Sequence, residues 1–289
     1  MVFVGSGPWA RAALSGLVRC AGMRIALIIT DQSSQSQLSM AARGCDVQLF
    51  ESWDLIQDRI ASAKLGVCAG WKRIPNGIYD LPPMGFVNVH GSLLPKYRGP
   101  EPLERQYLDG VTEAGATIHQ IAARIDAGAV FAQKAIAISP SASIRDYMMK
   151  LTLCAAGLVR DSIARIAAGT LCSVPQDEDK ASSFPFLAPD DGRLTLDEDP
   201  GLIFRKIGCL GMRGWARIAH EGIQYMVHAP ELLARDYAGP CGIEVGGDGS
   251  ALMIKARPLV MRALVHGHTP VAAKNARHSF HGADYNGKA

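Results

Sequence analysis

The chain has 289 residues, of which 48% are hydrophobic and 20% are charged. This length suits one large domain plus a small one, and the composition is that of a globular protein and excludes a disordered chain. A formal net charge of +3 is too small to indicate a nucleic-acid-binding protein by itself. No stretch approaches the roughly 20 consecutive apolar residues of a transmembrane helix, so we expect no membrane span.

The cysteines and the first residues of the chain indicate the compartment. Seven cysteines are dispersed along the sequence without a Cys-x-x-Cys pair. The segment from Met1 to Gly5 lacks the basic start of a secretory signal and is predicted to form a strand. Reduced thiols in a cytoplasmic protein fit both observations, and we expect neither a disulfide framework nor a metal site.

The first half of the chain alternates short apolar runs with helical segments. Helices are predicted over residues 9–20 and from a cap at Ser143 to Gly169. The predicted strands cover residues 2–5, 23–30, 47–50, 65–68, 86–89, 117–121 and 130–138. This alternation is typical of an α/β protein with a Rossmann-like, mostly parallel sheet and helices on both faces.

The pattern changes after the long helix. Residues 173–183 are polar and are predicted to be a linker. Asp199 and Pro200 predict the start of a helix, and short strand-like runs follow at residues 214–219, 223–228, 242–245 and 251–256. We therefore predict a large domain over residues 1–172, the linker, a small β-rich, barrel-like domain over 184–265 and a polar tail over 266–289.

The segment from Phe86 to Leu103 carries most of the chemical information. Asn88 and His90 are two residues apart after an apolar run, so on a strand both side chains point to the same face. Ligands of parallel sheets bind outside the carboxyl ends of the strands, which is where these residues fall. An amide can stabilise an oxyanion and an imidazole can transfer a proton, which suits reactions at an acyl carbonyl.

The residues Asn88-x-His90, the following Ser92–Pro95 and the later Asp126-Ala127-Gly128 resemble the 10-formyltetrahydrofolate-dependent formyltransferase family. That family includes methionyl-tRNA, glycinamide ribonucleotide and amino-sugar formyltransferases. The resemblance covers residues 1–171 and implies a catalytic domain with Asn88, His90 and Asp126 as catalytic residues. It also implies 10-formyltetrahydrofolate as co-substrate and a reaction without a covalent enzyme intermediate.

A second part of the resemblance concerns the loop after the strand that ends at Cys68. In the family, the matching loop holds the pteridine ring between backbone groups and apolar side chains. The resemblance implies cofactor-binding roles for Gly70, Trp71, Arg73 and Ile74, with Ile125, Ala127 and Gly128 closing the other side. The alternative is an ordinary strand–helix loop with one buried tryptophan.

Five further polar residues are candidates for binding a substrate or for structural roles. Ser92 is a candidate substrate-binding residue, although a structural role in the turn is favoured. Lys96 and Arg98 either contact an anionic substrate or are solvated, and Glu101 is a candidate for recognising an amine. His119, in the middle of a predicted strand, is interpreted as a hydrogen-bonded structural histidine.

The sequence gives only indirect information on the acceptor. Residues 31–40 contain no lysine or arginine, and basic and acidic residues nearly balance over residues 186–265. Both observations weaken a tRNA substrate, and the second domain weakens glycinamide ribonucleotide. We expect a small-molecule amine, either a nucleotide-linked amino sugar or an amino-acid derivative such as hydroxyornithine. Two alternative functions remain open, a methionyl-tRNA formyltransferase and a non-catalytic folate-binding or sensor protein. A homodimer also remains open.

Overall fold

The structure is a computed structural model that describes residues 1–42 and 44–271. Residues from Met1 to Ala188 form one compact unit, and the described residues from Pro189 to Val271 belong to a second. No helix within the described part of the chain is long and apolar enough to cross a membrane.

The first unit is built around one sheet with helices on both faces. Its strands are β1 (Val2–Gly5), β2 (Leu27–Thr30), β3 (Val47–Leu49), β4 (Gly66–Ala69), β5 (Phe86–His90), β6 (Glu113–Gln120) and β7 (Val130–Ala137). Its helices are α1 (Gly7–Leu17), α2 (Gln35–Ala41), α3 (Gln57–Ala61), α4 (Pro102–Asp109) and α5 (Ile144–Ala167). The Ser143 hydroxyl accepts a hydrogen bond from the Asp146 amide and caps α5, as the sequence predicted.

The strand order in this sheet is β3-β2-β1-β4-β5-β6-β7. The pairings from β3 to β5 are parallel, and β6 and β7 are added antiparallel. This confirms the prediction of a mostly parallel, Rossmann-like sheet. Strand β1 shows why its sequence is continuously apolar: Phe3 packs into the core on one face, and Val2 and Val4 pack into the core on the other.

The second unit is β-rich, as predicted. Its elements are β8 (Arg193–Leu194), α6 (Pro200–Leu210), β9 (Arg217–His220), β10 (Ile223–Ala234), β11 (Gly242–Val245), β12 (Ala251–Ala256) and β13 (Leu259–Pro270). The strands form a six-stranded sheet in the order β11-β12-β13-β10-β9-β8. The carboxylate of Asp199 caps α6 by accepting from the Leu202 amide, which agrees with the predicted helix start.

Two predicted boundaries need correction. Residues 266–270 of the predicted tail belong to β13, in which residues 267–270 pair with the first residues of β10. The predicted linker over 173–183 packs back onto the first unit, which therefore extends to Ala188. Its backbone finds partners there: Val174 pairs with Val130, and the Arg98 amide donates to the Ser182 carbonyl. The remainder of the tail, with His278 and His281, lies outside the described residues.

Candidate active site

The predicted catalytic residues meet beyond the carboxyl end of β5. Asn88 is half-buried and His90 is buried. Asp126 follows β6 and has a positive backbone φ of 52°, a left-handed conformation that is uncommon outside glycine. Its Oδ2 atom lies 3.6 Å from His90 Nδ1, and its Oδ1 atom lies 3.5 Å from Asn88 Nδ2. The Gly99 amide also donates to Oδ2 at 2.8 Å, which fixes the carboxylate.

His119 also belongs to this cluster, although the sequence indicated only a structural histidine. It pairs directly with Asn88 across β5 and β6 and is buried. Its Nε2 atom lies 3.2 Å from Asn88 Nδ2 and 3.4 Å from Asp126 Oδ1. Because the pairing is antiparallel and non-local, spacing in the sequence gave no signal for it. Its place on the strand just before Asp126 is the one feature that could have indicated it.

The hydrogen bonds define which ring nitrogens carry protons. His90 Nε2 lies 2.8 Å from the Tyr97 carbonyl oxygen, which can only accept, so the proton is on Nε2. In the neutral ring, Nδ1 then presents a lone pair beside Asp126. His119 Nδ1 likewise faces the Gln120 carbonyl at 2.9 Å, which leaves Nε2 to accept a hydrogen from the Asn88 amide.

Burial decides the charge on His90. Burial lowers the pKa of His90 more than the neighbouring Asp126 raises it, and His119 lowers it further, against a smaller raising effect of the Tyr97 carbonyl. Burial alone would raise the pKa of Asp126, but His90, His119 and the Gly99 amide lower it well below its usual range. The site thus presents an ionised carboxylate beside a neutral imidazole.

The two loops assigned to the pteridine are adjacent but differ from the expectation in detail. The guanidinium of Arg73 donates to the Ala123 carbonyl at 3.5 Å, which brings the loop after β4 next to the loop after β6. Ile125 is 60% exposed and is available for contact with a ligand. Ile74 is instead buried in the core, so its side chain supports the loop from behind.

Trp71 also faces the protein. It is half-buried and packs edge-on against Phe50, with 5.5 Å between the ring centroids. Its Nε1 atom is buried and has no hydrogen-bond partner among the described residues. Gly70 is exposed with a φ of 59°, and an added Cβ would lie 2.6 Å from the Ser6 carbonyl oxygen. The tight backbone of this loop therefore requires glycine at position 70.

The candidate substrate-binding residues have mainly structural contacts. The Ser92 hydroxyl is buried and donates to the Lys96 carbonyl at 2.7 Å, while the Lys96 side chain is exposed. Arg98 is only 4% exposed and is neither solvated nor available to a substrate, because Gln176 and Glu178 bind its guanidinium. A carboxylate oxygen of Glu101 accepts from the Leu187 amide at 2.7 Å.

Within residues 1–42 and 44–271, no group of three or more His, Cys, Asp or Glu side chains is arranged to hold a metal ion.

The sheet of the first unit is doubly wound and carries an Asn–His–Asp cluster at its carboxyl edge, and comparison with known proteins finds similarity to formyltransferases. The formyl transferase family model matches residues 51–157. Methionyl-tRNA formyltransferase from Solibacter usitatus is 28% identical over 231 residues, 74% of this chain and 73% of that protein. The same enzyme from Moorella thermoacetica is 29% identical over 267 residues, 86% of each chain.

Among solved structures, an N-formyltransferase from Helicobacter canadensis in complex with folinic acid and dTDP-3-aminofucose has the same fold. The TM-score is 0.71 at 16% identity, over 92% of this chain and 98% of that one. The chain is thus similar to formyltransferases, by the family match over residues 51–157 and by fold over most of its length.

Proposed function

We propose that this protein transfers the formyl group of 10-formyltetrahydrofolate to a primary amine of a small molecule. The observation that carries the proposal is the pairing of a neutral His90 with the ionised Asp126, next to the Asn88 amide. A base, an anion that stabilises its protonated form and an amide donor are the groups that acyl transfer to an amine requires.

The first step of the proposed reaction is attack of the amine nitrogen on the formyl carbon. A new C–N bond forms, the carbonyl π electrons move to oxygen, and the nitrogen becomes positively charged. His90 Nδ1 takes a proton from this nitrogen, since its lone pair is the free one in the ring. Asp126, 3.6 Å away, then stabilises the imidazolium.

Asn88 is the donor to the oxyanion in this scheme. One of its amide hydrogens is held by His119 Nε2 at 3.2 Å. The contact of Nδ2 with Asp126 at 3.5 Å is at the limit of a hydrogen bond, so an oxyanion can displace it. In the second step the oxyanion electrons re-form the carbonyl and the bond from the formyl carbon to N10 breaks. N10 takes the proton, which gives tetrahydrofolate and the N-formylated product.

The loops after β4 and β6 form the proposed donor site. The exposed backbone at Gly70 and the exposed Ile125 side chain suit the amide-like edge and the apolar face of a pteridine. Arg73 is exposed on the same loop and adds a positive charge that suits the carboxylates of a folate. The Helicobacter canadensis enzyme of the same fold is described in complex with folinic acid, which supports a reduced folate as the ligand.

We infer a nucleotide-linked amino sugar as the first candidate acceptor and an amino-acid derivative such as hydroxyornithine as the second. Helix α2 and the turn before it contain no basic residue, and the charges of residues 186–265 nearly cancel. These surfaces are poor for binding several phosphates of a tRNA. The fold is also that of an enzyme described in complex with dTDP-3-aminofucose.

Methionyl-tRNA is the alternative to these small-molecule acceptors, because the sequence relatives are methionyl-tRNA formyltransferases that align with most of this chain. The experiment that separates the candidates is a panel of amines with 10-formyltetrahydrofolate, in which tetrahydrofolate release is followed at about 0.15 M salt. We expect turnover with an amino-sugar nucleotide or hydroxyornithine and none with charged initiator tRNA. Efficient formylation of methionyl-tRNA would overturn the acceptor assignment. Folate binding without turnover on any amine would favour the non-catalytic alternative.

A further inference from the structure

The polar segment over residues 174–187, here called the strap, links the two loops that carry the candidate catalytic groups. One loop, residues 96–101, contributes the Gly99 amide that binds the Asp126 carboxylate. The other, residues 124–128, contributes Asp126 itself. The strap bonds to both loops, although its composition predicted a linker between domains.

Gln176 makes four hydrogen bonds with its single amide. Its Nε2 atom donates to the carbonyl oxygens of Asp126 at 2.7 Å and Gly128 at 2.8 Å. Its Oε1 atom accepts from Arg98 Nε at 3.1 Å and Nη2 at 2.8 Å. The side chain therefore spans from the backbone of the catalytic aspartate to the residue that precedes Gly99.

The backbone of Asp126 needs such support. Its left-handed φ of 52° costs energy in a non-glycine residue and persists only where neighbouring contacts hold it. Gln176 binds the carbonyl group of this same residue. The strap also passes directly over Gly99, where an added Cβ would lie 2.6 Å from the Phe184 carbonyl oxygen. Both ends of the Gly99–Asp126 hydrogen bond are thus held by the strap.

Ion pairs of Glu178 with Arg98 and Arg124 also connect the two loops. The Glu178 carboxylate accepts from Arg98 Nη1 at 3.0 Å and from Nη2 at 2.8 Å, and Arg124 donates to it at 3.0 Å. Hydrogen bonds from Arg98 are the main cause that lowers the pKa of Glu178 to about 2, and the hydrogen bond from Arg124 lowers it further, against an opposing effect of desolvation. Glu178 therefore stays ionised and, like Gln176, binds residues of both loops.

We propose that Gln176 is a positioning residue, which through the strap fixes the Asp126 carboxylate relative to His90. This inference rests on the proposed function, in which Asp126 stabilises the imidazolium. Displacement of a catalytic group by about 1 Å can cost roughly 10²-fold in rate. Loss of the strap contacts should therefore reduce kcat more than it weakens folate binding, because Gln176 contacts one of the two loops of the proposed donor site and does so through backbone carbonyl groups.

The test compares Gln176→Ala and Gln176→Glu with Asp179→Ala, a change at an exposed strap residue, in the full chain. The glutamate variant keeps the size of the side chain but turns an acceptor toward the two carbonyl groups. We expect kcat to fall at least about tenfold in both Gln176 variants, with folinic acid binding within about twofold of native, and no change in Asp179→Ala. Native kcat in the Gln176 variants, or parallel loss of kcat and folate binding, would overturn the inference.

A second readout does not depend on turnover. The groups that face His90 are Asp126, His119 and the Tyr97 carbonyl, and the carboxylate is the one whose charge raises the pKa of His90. If the strap positions this carboxylate, the His90 imidazole should titrate at lower pH in the Gln176 variants, as measured by NMR. An unchanged titration contradicts the inference, whereas a shifted titration in a protein that never transfers formyl groups contradicts only the proposed function.

Discussion

His90 Nδ1 and Asp126 Oδ2 lie 3.6 Å apart, while the other ring nitrogen of His90 is 2.8 Å from the Tyr97 carbonyl oxygen. The carbonyl fixes the tautomer, so the lone pair of the ring is on Nδ1, the nitrogen that lies near the carboxylate. A proton that arrives on Nδ1 is therefore stabilised at once by a neighbouring negative charge. This relationship makes His90 a base and Asp126 its electrostatic partner.

The pH dependence of the reaction follows from this pair. Burial is the largest effect on His90 and places its pKa below the usual 6.5, and the base must be unprotonated to act. We expect kcat/KM to fall with decreasing pH only below about 6.5. In Asp126→Asn the carboxylate no longer raises the pKa of His90. The acidic fall in kcat/KM should therefore occur at still lower pH, and the maximal rate should be smaller. If kcat/KM of the native protein began to fall clearly above pH 6.5, this would contradict the neutral state assigned to His90.

His119 provides a prediction about the orientation of Asn88. Its Nε2 atom accepts from the Asn88 amide at 3.2 Å. His119→Phe removes this acceptor and should lower kcat roughly tenfold, as expected for the loss of one orienting hydrogen bond. His119→Gln offers an amide oxygen in its place and should retain more activity. Equal activity of the two variants, measured beside folinic acid binding and thermal unfolding, would show that the hydrogen bond is unimportant.

Gly128 allows a sharper test of the Asp126 loop. A Cβ at this position would lie 1.9 Å from the Gln120 carbonyl oxygen, so Gly128→Ala must displace the loop. We expect a loss of turnover of about 10²-fold, because Asp126 is two residues away. Gly157→Ala in α5 is the matched control, since its Cβ would make an ordinary contact at 3.5 Å with Lys134 Nζ. Alanine is favoured by about 0.5–1 kcal/mol within helices, so the control should be active and no less stable.

The ion pairs of Glu178 predict how the stability of the protein changes in acid. The folded-state pKa of this carboxyl is lowered to about 2 from 4.5, mainly by Arg98, so the ion pair contributes stability above about pH 4.5. That contribution is lost as the pH falls from about 4.5 toward 2. Glu178→Gln should therefore lower Tm at pH 7, and the difference from native protein should shrink through this acidic range. A Tm difference that is constant across it would argue against the ion pair as its source.

The sequence predicted the parts of the fold that depend on strong periodicity. The apolar strands β1, β2 and β4 are buried on both faces and therefore have an unmistakable composition. The short helices α2 and α3 were not predicted, because they have only seven and five residues and bury little apolar surface. Strand β13 was missed because its register with β10 is interrupted by irregularities, which obscure the alternation of apolar residues.

For the site, the motif around Asn88 and His90 could be predicted from the sequence because both residues lie on one strand. Contacts between distant segments could not be predicted in this way. His119 reaches Asn88 only through the antiparallel pairing of β5 with β6. Arg98 was expected to be solvated or to meet a substrate, whereas residues 78 and 80 positions later in the chain bind it. Polar composition indicated a linker at 173–183, but it cannot distinguish a solvated segment from one whose polar groups are bonded to neighbouring loops.

The most direct test of the central claim is the amount of N-formylated acceptor formed from 10-formyltetrahydrofolate by native protein, Asn88→Ala and His90→Ala. His220→Ala, at a histidine of the second unit, serves as the control. Loss of one oxyanion donor typically costs about 10²–10³ in rate, which we predict for Asn88→Ala. Loss of a general base typically costs about 10²–10⁴, which we predict for His90→Ala, with near-native folinic acid binding in both variants and full activity in the control. Near-native product formation by Asn88→Ala and His90→Ala would contradict the account.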